Sequence, residues 1–470
     1  MSEINNMLFY INLSELENRL DPLFYVAIKK MQKEVVNRSK YECIDLIKAC
    51  SINRGRFGHR PRNDPRFYGG EYPFVQTGDI VKASENNDSI QYTQTLNELG
   101  LGTSKLFHPP KLLFTIAANI GDTAILDYPS CFPDSIVALI PHNDNLSLEY
   151  LNIYLKHIKP YIEALAPYSA QKNLNNQQLA QIPLIVPPVE VQEEIVFNMD
   201  KVYKLKQEKE AKAEALLGSI DDYLLNELGI NLPKYNNNLE SRMFSVGLNE
   251  ITNKRFDPDY YSTHYTMLNK SIEDSYFDID EISSVVSIIK GGKTPAKNDY
   301  SKRGTEFPLI KAGSYTKDFI NLKKVGYTKE YNGNEVEKND IFILSAAHQS
   351  QYVGRQIKFL NEIPDTHTSY VGELICIRTI PESCNPMYLF SLLNLEIYKS
   401  LLNREKTGQT SHIYGRDIKN IKIPSPPIEK QNEIAQHIEE MRKQAKQLQE
   451  EAKKVLESAK RYVEEMILGE

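Results

Sequence analysis

Apolar and small residues recur in alternating steps of four and three at Ile434, Ile438, Met441, Ala445, Leu448, Ala452, Val455, Ala459, Tyr462 and Met466. That rhythm is the seam of a helix built to lie along another helix. Sliding the same frame back along the chain lands on Ile195, Met199, Val202, Lys206, Lys209, Ala213, Leu216, Ile220, Tyr223 and Glu227. Most of these are again apolar or small, and the lysines can lay their stems along the seam. The approaches to the two stretches also match, as Pro187-Pro188-Val189-Glu190-Val191-Gln192 and Pro426-Pro427-Ile428-Glu429-Lys430-Gln431. Proline suits a first helical turn, where its missing N–H costs nothing, and an early Glu suits the positive end of the helix dipole. The pattern predicts two helices of roughly 60 Å each at 1.5 Å per residue. They are expected to pack on each other through Ile195, Met199, Val202, Leu216 and Ile220 on one side and Ile434, Ile438, Met441, Leu448 and Val455 on the other.

Shorter patterns repeat in the same order. Arg19-Leu20-Asp21-Pro22-Leu23-Phe24-Tyr25 returns as Arg255-Phe256-Asp257-Pro258-Asp259-Tyr260-Tyr261. Asp before Pro predicts a helix start with Asp as N-cap. Tyr72-Pro73-Phe74-Val75 and Phe307-Pro308-Leu309-Ile310 read as short strands, each ending in a glycine turn at Gly78 and Gly313. Apolar runs at 112–117 and 341–345 predict further strands, as do those at 135–140 and 372–377. Amphipathic helical segments near 149–165 and 387–402 then lead into the proline pairs. Each pair of elements is separated by nearly the same length of chain, which indicates a domain duplication and not a solenoid. The segment 231–238, with Pro233 and consecutive asparagines, reads as a linker between the halves.

A chain of 470 residues exceeds one ordinary core, and about 150 residues per unit suggests about three units. Apolar content of 41% and charged content of 25% are those of a soluble globular protein. Met1-Ser2-Glu3-Ile4-Asn5 has no basic region ahead of an apolar stretch, so no signal peptide is expected. No apolar run approaches a membrane span. Five cysteines without a C-x-x-C pair argue against a disulfide frame or structural zinc. A cytoplasmic location is therefore expected. A net charge of −6 means that any DNA-binding surface must be a local concentration of positive charge.

The doubled Arg19/Asp21/Pro22/Tyr25 and Arg255/Asp257/Pro258/Tyr261 set, the doubled Pro-Pro-x-Glu-x-Gln and the long helix after each resemble the specificity (S) subunits of type I restriction-modification systems. The resemblance covers nearly the whole chain. It implies an α/β (α+β) fold of two globular target-recognition domains separated by two long antiparallel coiled-coil helices, duplicated with pseudo-two-fold symmetry. On this reading residues 1–186 form recognition domain 1, 187–230 the central spacer helix, 231–250 a linker, 251–425 recognition domain 2 and 426–470 the C-terminal spacer helix. Each domain would read one half of a split double-stranded DNA target. The helices would dock two methyltransferase subunits, which bring S-adenosylmethionine, and a restriction (translocase/nuclease) subunit could join them. No base-reading residue carries over by match, because the recognition domains are the variable part of the family.

Local charge points to candidate DNA contacts. Arg54, Arg56, His59, Arg60, Arg62 and Arg66 cluster with only Asp64 opposing, interleaved with Phe57, Phe67 and Tyr68. Arginine forks suit guanine edges and phosphate oxygens, and Gly55 and Gly58 allow close approach. In the second copy Lys290, Lys293, Thr294, Lys297, Lys302 and Arg303 are basic without arginine clustering, which suits phosphate positioning. Gln76 and Thr77, Lys311, His348 and Gln349, and the polar turns with Lys172 and with Gln409 and Thr410 complete the candidate set. For these the alternatives are a solvated basic loop or a turn held against its own domain.

Catalytic patterns are absent from the sequence. The stretch Lys290–Lys297 lacks the first glycine of a phosphate-binding loop, where Ser287 stands, and Pro295 blocks the helix that should follow. Asn385-Pro386-Met387-Tyr388 lacks the second proline of an amino-methyltransferase motif, and the nine histidines show no metal-ligand spacing. Neither catalysis nor metal nor a cofactor of its own is expected of the chain. The rival readings are a coiled-coil scaffold without DNA readout, a specificity subunit of a related methyltransferase-nuclease system, and a stand-alone DNA enzyme.

Overall fold

The apolar runs at 112–117 and 341–345 become inner strands of two sheets covered on both faces. The computed structural model describes residues 22–58, 63–166, 173–234, 238–251, 255–301, 307–365, 367–408 and 411–469. It divides into two units, residues 1–212 with 447–470, and residues 213–446. The central helix Val189–Leu228 and the C-terminal helix Ile428–Leu468 each contribute residues to both.

In the first unit the main sheet runs Cys50–Arg54, Ile136–Pro141, Lys111–Thr115, Thr123–Leu126, all antiparallel. Side chains alternate across it. Leu112, Phe114, Val137 and Leu139 face a core with Tyr150, Leu151, Tyr154 and Leu155 of the helix Leu148–His157. Leu113, Ile136 and Ala138 face the other way, onto Val75, Ile80, Ala83 and Phe132. Burial on both faces is why these strands read as continuous apolar runs and not as alternating ones. A second sheet orders Gln94–Leu96, Tyr68–Phe74, Ser130–Cys131, Leu106–Phe107, with Phe74 and Cys131 in parallel register. Glu42–Asp45 pairs with Pro183–Val186, immediately ahead of the central helix.

The second unit repeats this plan. Its main sheet runs Val286–Gly291, Leu374–Thr379, Ile341–Leu344, Ile357–Phe359. Ile341, Ile343, Ile375 and Ile377 face Tyr388, Leu389 and Leu392, while Phe342, Leu344, Leu374 and Cys376 face Leu309, Ile310 and Tyr370. The smaller sheet orders Gly326–Thr328, Phe307–Ile310, Ser369–Tyr370, with the last pair parallel as in the first unit. Ile279–Glu281 pairs with Lys422–Pro424 ahead of the C-terminal helix.

Within each unit the two helices run antiparallel. In the first, Tyr462 donates to Glu194 at 2.9 Å and Lys209 pairs with Glu451 at 2.7 Å. In the second, Lys430 pairs with Glu227 at 2.7 Å and the rings of Tyr223 and His437 lie 4.4 Å apart. The buried stripe departs from the strict four-three frame. Tyr203, Leu224, Val463 and Ile467 are buried where the frame named Val202, Tyr223, Tyr462 and Met466. Val202, Leu216, Leu448 and Val455 are only half-buried, whereas Ile195, Met199, Ile220, Ile434, Ile438 and Met441 are buried. A helix of 3.6 residues per turn drifts off a 3.5 repeat. These helices also bury their ends in the units: Ile195, Met199 and Tyr203 join Ala459, Val463 and Ile467 in one core, and Ile220, Leu224 and Leu228 join Ile434 and Ile438 in the other.

Two further differences are local. The glycine turn expected after Phe74 is instead the helix Thr77–Asn86, whose start is fixed by the Asp79 carboxylate accepting the Gln76 N–H at 2.9 Å. Its counterpart after Ile310 is one short turn, Ala312–Ser314. The Asp257-Pro258 start is capped as expected, with Asp257 accepting the Asp259 N–H at 3.2 Å, but it forms a 3-10 turn, Pro258–Tyr261, before the helix Thr263–Glu273.

Candidate nucleic-acid interface

Strand register gathers the candidate loops at one end of each main sheet. Arg54 lies opposite Val137 and Thr115 opposite Ile136, so the strand Cys50–Arg54 leaves the sheet beside the loop that follows Lys111–Thr115. Ala117 in that loop bridges to Asn173, next to the first polar turn. In the second unit Gly291 lies opposite Ile375 and Leu344 opposite Leu374, and Ala346 bridges to His412, next to the second polar turn. Both units thus present three chain segments at the same sheet end.

The same backbone hydrogen bonds recur at this end of both units. The Gly55 N–H donates to Ile136 O at 2.9 Å and the Gly292 N–H to Leu374 O at 2.9 Å. The next residues, Arg56 and Lys293, donate through their N–H groups to Phe132 O at 3.0 Å and Tyr370 O at 3.3 Å. A Cβ on Gly55 would sit 2.3 Å from Pro133 O, and one on Gly292 2.1 Å from Val371 O. These glycines therefore admit a neighbouring segment of their own domain, where the sequence suggested approach by a ligand. Gly58 differs: its N–H donates to Thr103 O at 2.9 Å, and a Cβ there would make only ordinary contact with that oxygen, at 3.6 Å.

The side chains sort into held and free. The Arg56 and Lys293 side chains are exposed, as are Lys290, Lys297, His348 and Gln349. Arg54 donates its Nε–H to Asp134 O at 2.7 Å. Arg66 is clamped by Asp64, with Nη2 2.6 Å from Oδ2, and this partner raises the pKa of the guanidinium. Thr294 donates to Glu373 at 3.4 Å, Thr77 lies 3.3 Å from the Ser135 hydroxyl, and Lys311 lies over the Tyr300 ring at 4.6 Å. Gln76 caps the helix Thr77–Asn86. Phe57 does not stand out between the arginines. It is buried against Phe67, Tyr68 and Phe74 at centroid distances of 6.5, 6.0 and 5.1 Å, a small aromatic core under the loop. His59, Arg60, Arg62, Lys172, Lys302, Arg303, Gln409 and Thr410 lie outside the described residues.

The loops also contain a residue that sequence reading passed over. Asn119, exposed, follows Ala117-Ala118 as His348 follows Ala346-Ala347. The Ala-Ala pair after each strand was the available signal, hidden because the spacing between copies shrinks there by several residues.

The most strongly recurring motifs serve the scaffold. Gln192, buried, donates to Asn145 O at 2.7 Å and Pro187 O at 2.8 Å and accepts the Ser147 N–H at 3.1 Å. Gln431 donates to Ser383 O at 3.2 Å and Pro426 O at 2.9 Å and accepts the Asn385 N–H at 3.0 Å. Arg255 donates to Arg404 O at 3.2 Å and Lys406 O at 2.9 Å, pairs with Asp257 at 2.8 Å and stacks on Tyr260 at 4.6 Å. It clips the helix start to the turn before the polar loop. Among the described residues no group of three or more His, Cys, Asp or Glu could hold a metal ion, and no helix is long and apolar enough to cross a membrane.

Known proteins share this organisation. A chain from a structure of a type I restriction-modification system, concerned with complex assembly and conformational transition, aligns with a TM-score of 0.53 at 14% identity over 91% of this chain and 96% of that one. An S subunit from M. genitalium aligns with a TM-score of 0.46 at 14% identity, over 92% and 96%. A type I restriction enzyme specificity subunit (MjaX) from Methanocaldococcus jannaschii is 23% identical over 166 residues, which span 34% of this chain and 38% of that protein. The sequence model for the type I restriction modification DNA specificity domain matches twice, at residues 51–215 and 275–458, one match to each copy of the duplicated architecture. The chain belongs to the type I restriction-modification DNA specificity family and carries that family's domain in two copies.

Proposed function

We propose that the chain is the DNA-reading subunit of a type I restriction-modification complex, each unit contacting one half of a bipartite duplex target. The observation that carries this reading is the repeated sheet end, where each unit presents an exposed cation on the same backbone hydrogen-bond frame, at Arg56 and Lys293. Phosphate contacts position a protein on DNA and base-edge contacts specify sequence. Arg54, Arg56, Arg66, Gln76, Thr77, Lys290, Lys293, Thr294, Lys297, Lys311, His348 and Gln349 are the described candidates for those contacts. The outer faces of the two long helices, rich in Glu and Lys, suit docking of two methyltransferase subunits that bring S-adenosylmethionine, with a restriction subunit as a further partner. On this reading the chain carries no chemistry of its own and works in the cytoplasm.

The test is methylation mapping of genomic DNA from cells making the methyltransferase with and without this chain. A split motif methylated only when the chain is present is the expected result. Methylation that is unchanged by its removal, or methylation by the purified chain alone, would overturn the reading.

A further inference from the structure

The duplication lets one half of the chain act as the control for the other. A feature kept in both units serves either the fold or a task common to both, and a feature that differs at one position serves what distinguishes them. Gly55 and Gly292 are kept for the fold, since a Cβ at either would meet a carbonyl oxygen at 2.3 or 2.1 Å. The cation after each glycine has no such reason. Arg56 and Lys293 have exposed side chains that make no hydrogen bond or ion pair with the described residues, and the flanking positions have diverged to Arg54 and Phe57 in one unit and to Gly291 and Thr294 in the other. Positive charge has thus been retained at one backbone point while its surroundings changed.

The neighbouring loop shows the converse. Leu174 N–H donates to Ile116 O at 2.9 Å and Ile413 N–H to Ser345 O at 2.9 Å, so Ala117-Ala118-Asn119 and Ala346-Ala347-His348 leave the sheet on equivalent frames. Asn119 and His348 are exposed and make no hydrogen bond to the described residues. Their chemistry differs: a two-sided amide in one unit, an imidazole in the other. DNA presents the same phosphate at every step and a different pattern of donors and acceptors at every base. We infer that Arg56 and Lys293 are matching phosphate grips, and that Asn119 and His348 are matching base-reading positions that give the two units different words. The amide of Asn119 suits adenine, whose N7 and N6 offer an acceptor and a donor side by side. This inference rests on the DNA-reading function proposed above.

The experiment uses the chain assembled with its methyltransferase partner and compares Arg56→Ala, Arg56→Lys, Lys293→Ala, Asn119→Ala and His348→Ala for methylated motif and for binding to target and unrelated duplexes across a salt series. The mutated side chains are exposed, and an unchanged melting midpoint confirms folding. Arg56→Ala and Lys293→Ala are expected to weaken binding to both duplexes alike, to lower the salt slope by about one each and to leave the motif intact, with Arg56→Lys restoring the slope. Asn119→Ala is expected to relax one adenine of one half-site by about 5- to 150-fold, and His348→Ala to relax the other half-site only. A motif altered by the Arg56 or Lys293 variants but not by the Asn119 or His348 variants would reverse the assignment and overturn it. Five variants with wild-type motif and affinity would remove this sheet end from the DNA interface while leaving the general reading in place. A wild-type complex that methylates no defined motif would instead sink the reading itself.

Discussion

The side-chain oxygen of Gln431 accepts the backbone N–H of Asn385 at 3.0 Å, tying the first turn of the C-terminal helix to the cap of the helix Pro386–Asn394. The amide nitrogen of the same side chain holds Ser383 O and Pro426 O, so one buried group closes three backbone positions. Gln431→Ala leaves a donor and two acceptors without their partner. At about 1–3 kcal/mol for a buried group left unpaired, the second unit should lose about 3 kcal/mol. Hydrogen exchange at the Asn385 amide and urea unfolding check this. Glutamate at 431 should not rescue it, because a carboxylate cannot donate to the two carbonyls.

Arg378 pairs with the fully buried Asp340, Nε to Oδ1 at 2.7 Å and Nη2 to Oδ2 at 2.8 Å, and also meets Glu337. Arg378→Met should strand the Asp340 carboxylate in the core and lower stability by about 3–5 kcal/mol, read as a fall in thermal midpoint. Replacing both residues by apolar ones of similar volume should recover much of the loss, since no buried charge then remains.

Arg442 on the C-terminal helix pairs with Asp318 at 2.6 Å and lies against the rings of Phe319 and Phe390, at 5.8 and 5.5 Å. Arg442→Ala removes a half-buried ion pair and two cation–ring contacts, for a loss of about 2 kcal/mol. Faster hydrogen exchange in the segment 438–446, with the strand Ile341–Leu344 unaffected, is the expected signature.

Burial lowers Lys156 from 10.5 to about 8, with Asp122 and Asp88 pulling the other way. Its ammonium donates to Asn87 at 2.8 Å beside the Tyr203 ring. Because the unfolded chain holds this proton more tightly, folding is opposed while the lysine is charged. The contribution of Lys156 to stability should therefore rise as pH climbs from about 8 towards 10.5. Lysine-selective NMR titration should show one midpoint near 8, and a midpoint near the ordinary lysine value would contradict the burial described.

Gly292→Ala would drive a methyl group into Val371 O. The strand must shift, breaking the Lys293-to-Tyr370 backbone bond. The expected result is loss of recognition at one half-site, seen as a motif degenerate on that side alone.

Much of this architecture was legible in the sequence because it depends on local rules. The apolar runs, the proline-led helices and the repeated order follow from burial and backbone geometry, and those constraints act within a few residues. What escaped depends on contacts between distant segments. Phe57 reads as an aromatic among arginines until Phe74 and Tyr68 close around it. Gly78 reads as a turn until Asp79 reaches back to cap a helix. Gly55 reads as room for a ligand until Phe132 and Pro133, just after the strand Ser130–Cys131, close against it. The recurring Arg255 and Gln431 read only as parts of two helix entries, until each is seen to reach backbone carbonyls of distant segments in its own unit. The drift from Tyr462 to Val463 arose because these helices answer to two cores and not only to each other.

The core of the first unit is completed by Ala459, Val463 and Ile467, which leave the ribosome only after the whole of the second unit has been made. The second unit draws on Ile220, Leu224 and Leu228, which are already available when its own strands emerge, and on Ile434 and Ile438, which are made directly after them. Vectorial synthesis therefore inverts the order of completion: the portion translated first waits longest with an open apolar face, and a stalled ribosome would expose that portion to proteases and chaperones while its later-made twin is nearer to closed.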